Sequence, residues 1–371
     1  MENKKKVFES YKINNKLELR NRLVMAPMTT WSGNGDGSVS EAELKYYRHR
    51  SEGVGAIITA TTYLEPHGKG FSGQFYGGED ETLPSLKALA DTIHKGGAKA
   101  ILQVFHAGRK ANPKDMPDGL TVSASNVAAK RTPDNVPRTM TEEEILSTID
   151  AFRKSVKRAY EAGFDGIEIH GANTYLLQQF YSPHSNYRID RWGGDRVERY
   201  TFLNEVIQAC LDERDKLSKE DFIVGYRFSP EENSNPGITL EDTDYLIDRL
   251  CESDLDYLHI SLADYRQTSI RDEKSTEIIL ERAVKRINHR KPFIGVGSVY
   301  KMQDAQMILD YGAEIVALGR QLLIDGKSVE KWASDQLANE LYSPQRKEEE
   351  HIPSQLHDRI MKTPNWVPKK E

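Results

Sequence analysis

Eight short apolar runs recur along the chain with longer amphipathic stretches between them, and this alternation restricts the fold more than any other feature. The runs are Leu23 to Ala26, Ala56 to Thr59, Ala100 to Val104, Gly166 to His170, Phe222 to Tyr226, Tyr257 to Ile260, Phe293 to Val296 and Ile315 to Leu318. Each is too brief for a helix, and most are apolar nearly throughout, as strands covered on both faces must be. The intervening patterns are helical. The one from Thr141 to Glu161 opens on Thr141 with Glu144 three residues on, a capping box. Strands and helices alternating at this spacing imply a parallel sheet, because parallel neighbours need a crossover between them. An open doubly wound sheet alternates in the same way, but eight similar units and no GxGxxG after the first strand favour closure. The expected fold is α/β, a (β/α)8 TIM barrel, and 371 residues suit one such unit.

Two segments fall outside the alternation. Gly108 to Arg138, rich in Pro, Asn, Asp and Lys, reads as an inserted loop or hairpin after the third strand, lying over one barrel mouth. Residues 343–371, with three consecutive Glu and several prolines, read as a C-terminal arm or solvated extension, leaving 1–342 as the barrel. A net charge of −6 gives no general attraction to nucleic acid or acidic lipid. The first twenty residues are polar and Lys-rich, and no apolar run approaches the roughly 20 residues of a membrane span, so a cytoplasmic protein is expected. Cys210 and Cys251 stand far apart without a CxxC partner, so they are expected to be buried apolar side chains and no metal or iron–sulfur site is expected.

In a barrel of this kind the functional face lies at the strand C-terminal ends. After the fourth run the chain reads IEIHGANTYLLQQFYSP, placing His170 at the strand end with Asn173 and Tyr175 just beyond. A lone histidine there is more often structural. Here an imidazole and a carboxamide three residues apart can both donate toward one ligand oxygen, and a phenol two residues further can supply a proton. Gln103 ends the third run and suits the pyrimidine edge of a flavin; Arg227 ends the fifth and suits either charge stabilisation on a reduced ring or a salt bridge within the barrel. The seventh and eighth runs lead into GVGSV and LGRQLL, glycine turns at the two strands where barrels commonly seat a phosphate, with Arg320 adding a forked cationic donor.

Taken together, HGANTYLLQQFYSP, SNYRIDRWGG, APMTT, QVFHAGR and LGR resemble the old yellow enzyme family of FMN-dependent ene-reductases and NADH:flavin oxidoreductases, from about Arg22 to Ile324. The resemblance implies FMN over the C-terminal mouth, its phosphate toward Gly297, Gly319 and Arg320, and its ring near Ala26, Pro27, Met28, Thr29, Thr61, Gln103 and Arg227. It further implies that Thr29 touches the flavin C4 carbonyl, that His170 and Asn173 bind the substrate oxygen, that Tyr175 protonates the substrate carbon, and that Trp31 lines the substrate pocket. Thr174 stands where many members have Gly, and Thr29 replaces the Cys of one major subgroup. The Cys-rich cluster and second nucleotide-binding domain of some relatives have no counterpart here, so the chain resembles the single-domain members, in which nicotinamide and substrate take turns in one pocket.

The expected activity is hydride transfer from NADH or NADPH through FMN to an activated C=C bond by a ping-pong mechanism. The partner would be a small-molecule substrate rather than nucleic acid or membrane, and a homo-oligomer is compatible with the family. A second reading keeps the FMN and makes dioxygen, a quinone or another flavin the acceptor. A remote third is a phosphate-binding aldolase or isomerase barrel, which would want a catalytic Lys or carboxylate where the strand ends offer Gln103, His170 and Arg227.

Overall fold

The computed structural model describes residues 5–218 and 220–370. Eight parallel strands form the barrel: β1 (Leu23–Met25), β2 (Ala56–Ile58), β3 (Lys99–Phe105), β4 (Gly166–Gly171), β5 (Ile223–Phe228), β6 (Tyr257–Ile260), β7 (Phe293–Val296) and β8 (Ile315–Leu318). Each pairs in parallel with the next, and β8 returns to β1 through Val316 against Leu23 and Leu318 against Met25, so the sheet closes. All eight strands lie where the apolar runs predict them. Their residues are buried nearly without exception, as expected of strands covered by helices outside and by each other's side chains within.

The outer layer comprises α1 (Glu41–Arg50), α2 (Leu83–Lys95), α3 (Glu142–Glu161), α4 (Thr201–Arg214), α5 (Leu240–Glu252), α6 (Ile279–Ile287) and α7 (Met302–Asp310). The capping box that opens α3 is formed: Thr141 Oγ1 accepts from Glu144 N at 3.2 Å, and Glu144 Oε2 accepts from Thr141 N at 2.8 Å. An N-terminal antiparallel hairpin, Tyr11–Ile13 against Leu17–Leu19, covers the lower mouth, burying Ile13, Leu17 and Leu19 and reaching the start of β6 through Asn14 and Lys16 to Asp256. Among the described residues no helix is long and apolar enough to cross a membrane. Cys210 and Cys251 are free and buried.

The insertion after β3 differs from a simple hairpin. Val122–Ser123 pairs with Arg138–Thr139 in parallel, and an antiparallel bridge forms only at the tip, between Ala129 and Thr132. Pro113, Pro117, Pro133 and Pro137 remove donors that a hairpin ladder would use. Side chains close the loop instead, Asn135 bonding Thr121 Oγ1 at 3.1 Å and the Ala111 carbonyl at 3.3 Å. The C-terminal segment lies against the barrel rather than in solvent. The helix α10 of the chain's end, taking the two short helices Arg320–Ile324 and Ser328–Ala333 as α8 and α9, runs Ser354–Lys362 and buries Leu356 and Ile360, one turn apart. The last described residues pair with Tyr342, through Tyr342 N to Pro368 O at 2.8 Å and Lys370 N to Tyr342 O at 2.9 Å.

One buried acid sets a pH dependence of stability. Glu43 in α1 is fully buried, accepts from Thr30 Oγ1 in the loop after β1, and is raised by burial to about 8 against an ordinary value of 4.5. A carboxyl raised on folding contributes stability that is complete below its unfolded value and is lost as pH rises through its folded one. Thermal melts should therefore fall between pH 5 and pH 8, and Glu43→Gln should flatten that slope; an unaltered slope in the variant would remove Glu43 as its source.

Candidate active site

Five strand ends, those of β1, β5, β6, β7 and β8, frame a cavity of about 290 Å³ at the C-terminal mouth, with Leu262 and Ala263 following β6. β1 contributes Ala26, Pro27 and Met28, β5 contributes Arg227, and the turns after β7 and β8 contribute Gly297, Ser298, Gly319 and Arg320. At Gly297, φ is +128° and an added Cβ would lie 2.6 Å from the Asp264 carbonyl carbon, so only glycine passes here. At Gly319 an added Cβ would find nothing nearer than Met28 Sδ at 3.6 Å; the missing side chain leaves open space. Arg320 Nη2 is steered between these glycines by the Ala263 carbonyl and Ser298 Oγ, both at 2.7 Å. Among the described residues no carboxylate pairs with Arg320. A held cation beside bare backbone suits an oxyanion such as a phosphate.

Beneath the cavity lies a buried polar layer fixed by strand register. Gln103 is the register partner of Glu168, His170 of Arg227, and Arg227 of His259. Glu168 accepts from Gln103 Nε2 at 2.7 Å and Tyr257 Oη at 3.1 Å, with His259 Nδ1 at 2.9 Å. Burial by itself would raise the Glu168 carboxyl, but His259 foremost, then Arg227 and Gln103, hold it below its ordinary value. One N–H of Gln103 is committed to Glu168, which leaves its carbonyl oxygen and second N–H for a ligand. Arg227 Nε and His170 Nδ1 are buried with no hydrogen-bond partner. Such orphans are costly unless a ligand's polar edge meets them, and the pyrimidine edge of FMN offers both donors and acceptors.

On the β4 side His170, Asn173 and Tyr175 converge. Burial first, then Arg227, Lys110 and His259, push the His170 imidazole well below its ordinary value, so it is neutral and carries one N–H. Its ring stacks on Phe105 at 5.8 Å and stands 5.4 Å from the Tyr175 ring. Tyr175 is gripped edge-on by Phe105 at 4.4 Å and capped by Lys110 Nζ at 4.2 Å, and burial raises its phenol so that the proton is retained. Asn173 Oδ1 accepts from Ser261 Oγ at 3.0 Å, which turns the amide nitrogen outward as a donor. Its backbone N is tied to Ser229 Oγ at 2.8 Å.

Asn173 and Thr174 both adopt left-handed backbone, at φ +59° and +61°. Thr174 is held there by two glutamine side chains: its N donates to Gln178 Oε1 and its carbonyl accepts from Gln179 Nε2, each at 2.8 Å. The loop thus keeps a shape that a glycine would adopt freely, at a cost of about 1–2 kcal/mol for the β-branched residue. Thr174→Gly is expected to leave activity near wild type and stability equal or higher; a destabilised variant with a weakened substrate complex would show that the threonine side chain itself is needed.

Of the remaining sequence-predicted residues, Trp31 reaches the cavity's edge through Trp366, while Thr29 and Thr61 lie outside its lining. Thr61 is buried and accepts from Gln74 Nε2 at 3.0 Å, while Thr29 is half-buried beside the first-strand turn. Trp31, at φ +54°, is flanked by Phe71 at 6.1 Å, Trp366 at 6.2 Å and the Arg359 guanidinium at 5.0 Å. Sequence reasoning missed four contributors: Glu168 and His259 in the strand interiors, Ser261 behind Asn173, and Trp366, which lines the same cavity as Gly297 and Arg320. Ser261 directly follows an apolar run, a signal that strand-end inspection could have used. Trp366 lies in the tail, where nothing local points to the site. No group of His, Cys, Asp and Glu among the described residues is placed to hold a metal ion.

An α/β barrel that pairs an oxyanion cradle with unpartnered buried groups for a planar heterocycle belongs, as a class, with the flavin-dependent oxidoreductases. The chain matches the NADH:flavin oxidoreductase / NADH oxidase family over residues 6–339 and belongs to that family, which makes it an NAD(P)H-dependent FMN oxidoreductase of the old yellow enzyme type. It is 39% identical to the Bacillus subtilis protein YqiG, a probable NADH-dependent flavin oxidoreductase, over 99% of both chains. It is 41% identical to the NADH:acrylate oxidoreductase of Vibrio harveyi over 92% of this chain but only 34% of that longer protein. Among solved structures morphinone reductase superposes with a TM-score of 0.77 at 26% identity, over 90% of this chain and 91% of that one.

Proposed function

We propose that the chain reduces the C=C bond of a small α,β-unsaturated carbonyl compound at the face formed by His170, Asn173 and Tyr175. The observation that carries this reading is their convergence: a neutral imidazole, an amide whose oxygen is already engaged by Ser261, and a proton-retaining phenol. When bound, FMN supplies the hydride chemistry, taking a hydride from the nicotinamide donor and giving one to the alkene. Gly297, Gly319 and Arg320 would hold its phosphate, Gln103 and Arg227 its pyrimidine edge, and Ala26, Pro27, Met28, Thr29 and Thr61 its ring.

His170 and Asn173 donate to the carbonyl oxygen and stabilise the negative charge that develops there. Because His170 is neutral, its N–H does this without adding a further charge to the face. Tyr175 delivers a proton to the α-carbon from a position fixed by Phe105 and Lys110. Donor and acceptor would use the same face in turn, giving parallel-line ping-pong kinetics, in a cytoplasmic enzyme.

The test is turnover of a panel of cyclic and acyclic enones by the purified yellow protein with NADH and NADPH, against oxygen alone. Faster NAD(P)H consumption with enone, and recovery of the saturated product, is the expected result. Oxygen-only turnover would move the acceptor to dioxygen, a quinone or another flavin. A separate prediction concerns Trp366: its removal in Trp366→Ala uncovers the cavity and should weaken FMN binding roughly tenfold, the worth of a partly buried aromatic contact. Flavin fluorescence on dilution measures this, and unchanged retention would show that the tail is a bystander.

A further inference from the structure

A second cavity of about 720 Å³ opens beside Asn173 and Thr174, between the insertion after β3 and the loop after β5. Its charges do not balance locally. Arg109, Lys110, Lys130 and Arg131 line one side, and Glu231 and Glu232 line the other. Both carboxylates are occupied by neutral donors: Glu231 by Ser269 Oγ and Ile270 N, each at 2.9 Å, and Glu232 by Gln178 Nε2 at 2.7 Å, Ser182 Oγ at 2.5 Å and Ile238 N at 3.3 Å. None of the four cations is in an ion pair among the described residues. Arg109 is buried, spends Nη1 on the Val127 carbonyl at 3.2 Å, and has no partner at Nε. That contact fixes the approach to a tight turn, closed by Thr132 N to Ala129 O at 2.9 Å, whose two corner residues are Lys130 and Arg131.

The cationic set is continuous with the reactive face. Lys110 Nζ donates to the Asn173 carbonyl at 2.9 Å and stands over the Tyr175 ring at 4.2 Å. Burial, then Arg131 and Arg109, lower its ammonium to about 8, the behaviour of a half-buried cation that lacks an anion. The Arg131 charge is felt at Tyr175 as well.

On this basis, and resting on the alkene-reducing function proposed above, we infer that Arg109, Lys110, Lys130 and Arg131 form an oxyanion subsite for a ligand bound at the His170–Asn173 face. The oxyanion has two sources, an acid group on the acceptor alkene or the phosphates of the nicotinamide donor. The acceptor is favoured, because Lys110 reaches the very loop that activates the carbonyl, so the inner cation meets a group only a few bonds from the double bond. Specificity then comes from an acid group that the neutral face does not itself recognise.

The experiment compares the wild-type holoenzyme with a Lys130→Gln/Arg131→Gln variant, both changes lying on an exposed turn. Equilibrium binding of β-acetylacrylate and of its uncharged methyl ester is read from the perturbed flavin absorbance. In a second arm NADH is compared with the phosphate-free N-benzyl-dihydronicotinamide by the rate of flavin bleaching. A fall of about tenfold or more in the acid-to-ester preference supports the subsite and assigns it to the acceptor. An equal fall confined to the NADH-to-benzyl preference supports the subsite and assigns it to the donor. Both ratios unchanged, and insensitive to added salt, overturn it. Binding of the acid without any turnover would instead reject the alkene reading and leave the subsite standing.

Discussion

Replacing Tyr175 by Phe is expected to slow enone reduction by roughly 10²- to 10⁴-fold, the range for loss of a positioned general acid, while NADH bleaches the bound flavin at close to the wild-type rate. The asymmetry follows from what the side chain does. Its ring is held by Phe105 and by the Lys110 ammonium, contacts that a phenylalanine keeps, so the variant removes one hydroxyl and little packing. In the proposed mechanism the hydroxyl has no part in accepting hydride from a nicotinamide but supplies the proton that completes alkene reduction. Stopped-flow spectroscopy separates the two half-reactions. Equal slowing of both would mean that Tyr175 shapes the face rather than protonates the substrate. Because His170 is held well below its ordinary value, its own titration should leave no inflection in the enone rate at neutral pH.

The barrel was legible because its physics is local. A strand covered on both faces is largely apolar, and three of the runs, Tyr257–Ile260, Phe293–Val296 and Ile315–Leu318, coincide with strands to the residue. His170, Asn173 and Tyr175 could be singled out in the sequence because strand ends are where a barrel exposes function, and the fold sets the His170 and Tyr175 rings 5.4 Å apart. Arg227 was ambiguous in sequence between cofactor contact and internal ion pair, and the fold accounts for the ambiguity. Its charge is felt by Glu168 inside the barrel while its Nε faces no protein partner. Glu168 and His259 could not be found by inspecting strand ends, since they acquire meaning only when register sets them beside Gln103 and Arg227. Of the tail's two readings, arm or solvated extension, its charge run suggested the second, whereas Leu356 and Ile360, Val367, the pairing with Tyr342 and Trp366 dock it on the barrel.

That interior layer gives the other large expected effect. Among the described residues Glu168 is the one carboxylate that faces Arg227 and His259, both buried, and it fixes the Gln103 amide through the bond at 2.7 Å. Glu168→Gln keeps the volume and removes the charge. The Arg227 guanidinium is then a buried cation without compensation, a situation that typically costs about 3–5 kcal/mol. Tyr257 Oη and His259 Nδ1 both meet Glu168 Oε2, so in the variant the single amide oxygen is held on their side and the N–H faces Gln103, which is driven to turn over and exchange the oxygen and nitrogen it offers to a ligand. The variant should therefore unfold at lower urea concentration as apoprotein and also lose affinity for FMN. A second change separates charge from shape: Arg227→Met added to Glu168→Gln removes the stranded cation and should recover part of the stability without restoring FMN binding. If Glu168→Gln alone unfolded within about 1 kcal/mol of wild type, the layer would be a passive filler of the barrel and the orientation of Gln103 would need another cause.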